Sequence, residues 1–371
     1  MKDRNRGIFF SPSVESKKRK EFSLTLLLWG IYVGGVVVSI IFSPFKDTSL
    51  RYLAKHWHAL LFPVACSLNF SCKDMKLIGG SFLFSASLAA SAGIARFIYQ
   101  ESGYLEALYK GNTTFASLLV LAAIMGIGHM LSRTKRDDAK EGFVGAENLI
   151  VVTLALPIML AVVFAALMAP VDALVVGSLV LVLVSRPKAI FAWTLFVGAM
   201  LVISPRVLWL EFEWIMAGNH IDRYPLWSAG AKLLSSVPTF GFGPESFCHI
   251  LPANASAAFA ARPPATWHND FLQTILDNGW LVGGAYIGFV ISLVIVTIRR
   301  AIRTRDYRIR ALFKTLAVLL TAFVFFSMIG TVVSSATLGI VWWTILGLIA
   351  NIAIKERTHG FTRTDPEGSP G

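Results

Sequence analysis

Long apolar runs separated by short basic clusters set the pattern of this chain. A helix needs about 20 apolar residues to cross the hydrocarbon of a bilayer. By that rule the sequence predicts helices near 22–43, 57–71, 76–97, 114–131, 148–169, 171–185, 188–204, 278–298, 311–331 and 335–353. The second, sixth and seventh are short. The stretch 57–71, which carries Pro63 and Cys66, reads equally as a re-entrant or interfacial segment. The expected fold class is all-α integral membrane, with about ten transmembrane helices in one domain over 22–353, tails at 1–21 and 354–371, and a large loop at 205–276 containing short helices.

Composition agrees with the pattern. The 371 residues are 55% hydrophobic and 15% charged, against about 25% charged in soluble chains, and a water-soluble fold would have no means of covering so much apolar surface. No repeat of fixed period is visible, and no pair of interrupted helices stands at corresponding places in two halves, as pseudo-symmetric transporters would show. The first apolar run follows a charged leader and ends in Ser43-Pro44-Phe45 rather than a small-x-small cleavage site, so an uncleaved anchor is expected.

The net charge of +12 gains meaning from its placement. With the amino terminus inside, one set of gaps holds Lys17, Lys18, Arg19, Lys20, Lys73, Lys76, Arg133, Lys135, Arg136, Arg186, Lys188, Arg299, Arg300, Arg303, Arg308, Arg310 and Lys355. The opposite set holds only Lys46, Arg51, Lys55, Lys110, Arg206, Arg223, Lys232 and Arg262. The positive-inside rule then predicts that both termini are cytoplasmic and that 205–276 lies on the other face. Basic charge is therefore a topology signal with membrane lipid as its partner, and no nucleic acid is needed to explain it. Cys66, Cys72 and Cys248 are too few and scattered for a disulfide framework or a zinc site.

Chemistry is expected in the long loop. It opens with Ser204-Pro205-Arg206 and passes Trp209, Phe212 and Trp214, aromatics suited to the headgroup level. Residues 224–237 set Leu226, Trp227, Gly230, Leu233, Leu234 and Val237 on one side of a predicted amphipathic helix, with Arg223 at its start. A cation there opposes the helix dipole. It either pairs with lipid phosphate or Asp222, or clamps a substrate phosphate through its planar guanidinium. Gly241-Phe242-Gly243-Pro244 reads as a turn with positive φ and close backbone approach, or as a weak phosphate cradle.

His268 follows Pro263-Pro264 and Trp267 and is expected to open a short helix buried along Phe271, Leu272, Ile275 and Leu276 and stopped by Asn278-Gly279. It reads as a hydrogen-bonded helix-start residue or as a general base, since an ordinary imidazole titrates near about 6.5; Asn269 and Asp270 beside it can fix a tautomer or position a sugar hydroxyl. Glu211, Glu213, Asp222 and Glu245 have no spacing that demands a metal, and solvated surface charge explains them. Arg96 and His129 are ionisable groups near hydrocarbon, open to snorkelling, helix–helix hydrogen bonding or function.

The segment His268-Asn269-x-x-Leu272 ending at Gly279 resembles the motif of the O-antigen ligase and O-antigen polymerase superfamily of bacterial envelope glycosyltransferases: His, then Ser or Asn, then Leu at the fifth and Gly at the twelfth position. Upstream, Ser185-Arg186, then Arg223 with Trp227, then Pro238-x-x-Gly241-x-Gly243 occur in the same order, so the similarity covers about residues 170–300. The resemblance implies transfer of a glycan from undecaprenyl diphosphate to a sugar hydroxyl at the outer face of the inner membrane. Lipid A-core is the acceptor in the ligases and another lipid-linked repeat unit in the polymerases. It implies His268 as base or hydroxyl-positioning residue and Arg223 as diphosphate ligand. Arg206, Asn269, Trp227, Gly241, Gly243 and Arg186 then line the substrate, and no metal or nucleotide cofactor takes part. The rivals are a polymerase joining repeat units, a protein O-oligosaccharyltransferase with the same donor, and a non-enzymatic transporter of lipid-linked sugar that would depend on intramembrane groups.

Overall fold

A computed structural model describes residues 12–68, 70, 72–100, 112–132, 146–164, 174–175, 177–179, 223–251, 266–304 and 306–358. Among them every regular element is helical. In chain order they are α1 (Pro12–Phe42), α2 (Lys46–Lys55), a 3-10 turn (Trp57–Leu60), α3 (Leu61–Ser67), α4 (Cys72–Gln100), α5 (Asn112–Ser132), α6 (Ala146–Phe164), α7 (Arg223–Leu233) with a 3-10 extension (Leu234–Ser236), α8 (Phe247–Ile250), α9 (Asp270–Arg303), α10 (Tyr307–Ile329) and α11 (Ala336–Thr358). Among the described residues, five helices are long and apolar enough to cross a membrane: Ser23–Phe42, Leu77–Arg96, Asp270–Arg303, Ile309–Ile329 and Ala336–Ile354. Shorter apolar helices occupy Trp57–Ser67, Thr114–Gly128 and Leu149–Val162. The helices expected at 171–185 and 188–204 lie largely or wholly outside the described residues.

Contacts between small residues fix how the helices run. Thr25 and Ser292 hydroxyls are 3.1 Å apart, and Ser39 Oγ donates to the Asp277 carbonyl at 2.8 Å, so α1 lies antiparallel to α9. Gly35, between them, sits against Val282, a close approach that only a residue without Cβ permits. Gly128 against Thr315 joins α5 to α10. The core of this bundle is aromatic: Trp343 stacks on Tyr32 and Phe289, and Trp342 packs on Phe323.

The short segment 57–68 runs beside α11 in the same direction. His58 meets Gly339, Phe62 and Ala65 meet Gly347, and the Asn351 amide Nδ2 lies within 3.1, 2.7 and 2.6 Å of the carbonyls of Ala65, Cys66 and Leu68. A helix end leaves its last carbonyls without intrahelical partners, and in hydrocarbon those must be satisfied by the protein itself. Asn351 does this for α3, which is why α3 can stop after seven residues. Asn351→Ala strands those carbonyls, and the expected result is a loss of about 1–3 kcal/mol, read as a lower melting temperature in detergent.

The other decisive backbone feature is Gly279, at φ 83 and ψ 169, which divides α9 into a short arm (270–278) and a long arm (280–303). The short arm folds back on the long one: Ile275 lies against Gly283, and the Phe271 ring is 5.9 Å from that of Tyr286. The expected stop at Asn278-Gly279 thus becomes a hairpin. A Cβ at Gly279 would meet the Thr239 carbonyl, on top of a φ that side chains resist. Gly279→Ala is expected to cost about 1–3 kcal/mol or more, detectable as a fall in folded yield and in melting temperature.

Two ends follow. One gathers residues 43–58, 237–251, 266–279 and 330–335. The other carries Arg299, Arg300, Arg303 and Arg310, with Arg300 donating to the Ala353 carbonyl at 3.1 Å near the end of α11.

Candidate functional site

The first of these ends holds a small core of its own, built from Leu226, Ala229, Phe247, Trp267 and Leu276. The amphipathic pattern expected over 224–237 is realised by α7 and its 3-10 extension, with Leu226 and Ala229 inward and Leu233, Leu234 and Val237 partly covered. Gly230 makes the contact close, because a Cβ there would stand 2.7 Å from Leu272 Cδ2 and 3.0 Å from Trp267 Cε3. Trp267 is fully buried, with the Phe247 ring edge-on at 4.7 Å.

His268 follows directly. It does not open the helix. It stands one residue before the cap, partly buried, with φ 50, a left-handed backbone uncommon outside glycine. Both neighbours are pinned. The Trp227 indole Nε1 donates to the Trp267 carbonyl at 2.9 Å, and Asn269 caps the short arm, its Oδ1 accepting from the Leu272 N–H at 3.0 Å. Such a conformation persists where its surroundings over-determine it, as they do at many functional sites. Trp227 and Asn269, read from the sequence as substrate ligands, are thereby seen engaged in holding His268's backbone.

Asp270 is buried, and its Oδ2 accepts from the N–H of Val332 at 2.8 Å and of Val333 at 3.1 Å. From the other side, His58 Nε2 lies 3.0 Å from the Val333 carbonyl. A carbonyl only accepts, so that bond requires the proton of His58 to be on Nε2. The connection between α10 and α11 is thus gripped by the His268 motif and by the 3-10 turn after α2. Asp277, two turns further along the arm, accepts from Gln273 Nε2 at 3.2 Å and Ser246 Oγ at 3.4 Å.

The turn at Gly241 and Gly243 is docked on the end of the short arm. Phe242 N–H donates to the Leu276 carbonyl at 2.9 Å, and Gly243 N–H to the Asp277 carbonyl at 2.8 Å. Both glycines have positive φ; a Cβ on Gly241 would meet Asp277 and Asn278 backbone, and one on Gly243 would meet Ser43 and Ser49. Ser49 Oγ donates to the Pro244 carbonyl at 3.0 Å. Burial pushes the Tyr52 phenol well above its ordinary range, so it stays protonated beside this seam.

Position 223 begins α7, one helical turn and about 6 Å along the axis from Trp227. Arg206 and Arg186, and the acidic residues Glu211, Glu213 and Asp222, lie outside the described residues, as do Trp209, Phe212 and Trp214. Glu245 is partly buried in the turn. Among the described residues no three His, Cys, Asp or Glu side chains gather as metal ligands. Arg96 is partly buried near the end of α4, and the His129 side chain is not among the described ones.

Asp277, Gln273 and His58 entered no sequence expectation. The signal for the first two was present: Asp270, Gln273, Thr274 and Asp277 recur at i, i+3, i+4 and i+7, a polar stripe on the helix next to an apolar one. His58 had no comparable signal.

Searched against protein-family models and curated proteins, the chain matches none. The functional reading therefore rests on its own residues.

Proposed function

We propose that this protein is a multi-pass membrane glycosyltransferase of the O-antigen ligase type, moving a glycan from undecaprenyl diphosphate to a sugar hydroxyl of lipid A-core at the outer face of the bacterial inner membrane. One observation carries the reading: the Trp227 N–H bonded to the Trp267 carbonyl. It ties the helix that starts at Arg223 to the residue before His268, so two motif positions 45 apart by number belong to one end of the bundle. Ten spans, cytoplasmic termini and a periplasmic 205–276 belong to the same proposal, supported by basic residues concentrated at the opposite end.

In this reading the acceptor hydroxyl oxygen attacks the anomeric carbon, His268 takes the hydroxyl proton, and the bond from that carbon to the diphosphate oxygen breaks. The polyprenyl diphosphate leaves with its electron pair, and the Arg223 cation offsets the charge that develops on it. The strained backbone at His268 keeps the imidazole from following ordinary helix geometry.

The test is reconstitution in liposomes with synthetic undecaprenyl-diphosphate glycan. Wild-type protein is expected to transfer, and Arg223→Ala to lose most of that activity; absence of transfer by the wild type, with either acceptor, would remove the reading. Supplying lipid A-core or a second lipid-linked repeat unit separates ligase from polymerase. A further expectation concerns Trp227→Phe, which removes only the indole N–H. It should lower kcat about ten- to a hundredfold with little change in KM, since slight misplacement of a catalytic group has effects of that order.

A further inference from the structure

The described side chains of α2 fall on three faces, and those of one face are covered by protein. Ser49, Tyr52 and His56, at i, i+3 and i+7, are buried. Ser49 holds Ser43 and the Pro244 carbonyl, and the His56 ring lies 5.1 Å from that of His58. Lys46, Leu50, Leu53 and Trp57, at i, i+4, i+7 and i+11, form a second stripe, and its apolar members are bare: Leu50 is 61% exposed, Leu53 47% and Trp57 53%. Asp47 and Arg51 stand on the third, exposed and polar face.

A helix with an uncovered apolar stripe beside a charged face is unstable in water and stable at a bilayer surface. The stripe is also continuous with a surface that must meet lipid. Leu60, Val64 and Leu68 are exposed along the 3-10 turn and α3, which descends beside α11 as a companion of the bundle. Nearby, at the same end, exposed Phe42 stacks on exposed Phe240 at 4.8 Å, and exposed Trp280 donates its indole N–H to the Leu234 carbonyl at 3.2 Å. The Trp280 ring, apolar but for its N–H, suits the level where hydrocarbon gives way to headgroups.

We infer that α2 is an in-plane anchor. It lies in the leaflet on the site side, Leu50, Leu53 and Trp57 in the acyl boundary, Lys46 and Arg51 among lipid phosphates, and its buried face of Ser49, Tyr52 and His56 forms the lipid-side wall of the site. The occupant of the stripe is phospholipid, not a second copy of the chain. The net positive charge of Lys46 and Arg51 against Asp47 fits an anionic headgroup layer. The inward face gives the anchor a consequence, because Ser49 and the His56–His58 step connect it to the 241–244 turn and to the connection that Asp270 grips.

The experiment does not depend on the proposed reaction. The full chain, with its three native cysteines replaced by serine, receives a single cysteine at position 47, 50 or 53, each labelled with an environment-sensitive fluorophore. The labelled proteins are reconstituted in phosphatidylethanolamine–phosphatidylglycerol vesicles. Probes at 50 and 53 are expected to emit blue-shifted and to be quenched several-fold more by shallow spin-labelled lipid than the probe at 47, which iodide should quench instead. Adding Lys46→Glu and Arg51→Glu should shift the position-50 probe toward the red in these vesicles and not in neutral phosphatidylcholine. Equal iodide quenching at all three positions would overturn the anchor. So would energy transfer between differently labelled copies at position 50 that persists on dilution in lipid, since a second chain would then cover the stripe.

Discussion

His268→Ala is expected to reduce glycan transfer about 10²- to 10⁴-fold, the contribution of a positioned general base. At φ 50, between a capped helix start and a carbonyl anchored by Trp227, the His268 backbone has little freedom to move, which fixes the point from which its side chain reaches. The measurement is the initial rate of transfer in liposomes, with folded yield checked by size exclusion. His249, exposed at the same end and stacked on Phe45 at 4.3 Å, supplies the control: His249→Ala should leave the rate within about twofold, as for surface substitutions of small energetic effect. Equal rates of transfer for wild type and His268→Ala would remove the base role proposed for His268 and leave the transfer itself to other residues.

The largest structural effect is expected at Asp270. Asp270→Ala leaves the N–H groups of Val332 and Val333 buried without their acceptor. Each unsatisfied group costs about 1–3 kcal/mol, so the pair costs about 2–6 kcal/mol. Asp270→Asn keeps one carbonyl oxygen on the same amides and should lose clearly less. Melting in detergent, followed through the retained monomer peak, distinguishes the three proteins. Melting of Asp270→Ala with the wild type would mean that the connection is held by other contacts. His58 shares the load from the opposite side, so His58→Ala and Asp270→Ala should combine with less than the sum of their single effects.

Much of this is legible in the chain itself. The apolar runs expected at 22–43, 76–97, 114–131, 278–298, 311–331 and 335–353 each fall on a helix of the structure (α1, α4, α5, α9, α10 and α11), because a long apolar run is a property of the local sequence and not of its neighbours. Turn chemistry located Gly279 and the 241–244 turn, since positive φ selects glycine wherever it occurs. The short stretch at 57–71 stayed ambiguous for a reason now visible: its end is satisfied by Asn351, which is 283 residues away from Leu68 in the chain.

The short arm of α9 illustrates the opposite case. Its apolar stripe of Phe271, Leu272, Ile275 and Leu276 invited the view that the other face is wet, whereas Asp270, Gln273, Thr274 and Asp277 are buried too. Burying a polar face calls for partners: Gln273 and Thr274 donate within the arm, to Asp277 and to the Asp270 carbonyl, while Asp277 also accepts from Ser246 and Asp270 from the 330–335 connection. No periodicity within nine residues contains that information.

By itself, then, the amino-acid order determined an apolar chain whose described elements are helical, where most of those helices lie and the glycine turns, because each depends on properties carried within a few residues or on the thickness of the bilayer. Only the folded chain decided that the short arm turns back at Gly279, that Trp227 holds the carbonyl before His268, that Asp270 and His58 grip one connection, and that one face of α2 is covered by protein. These are hydrogen bonds and contacts between segments far apart in the chain, and their partners are chosen by packing in three dimensions.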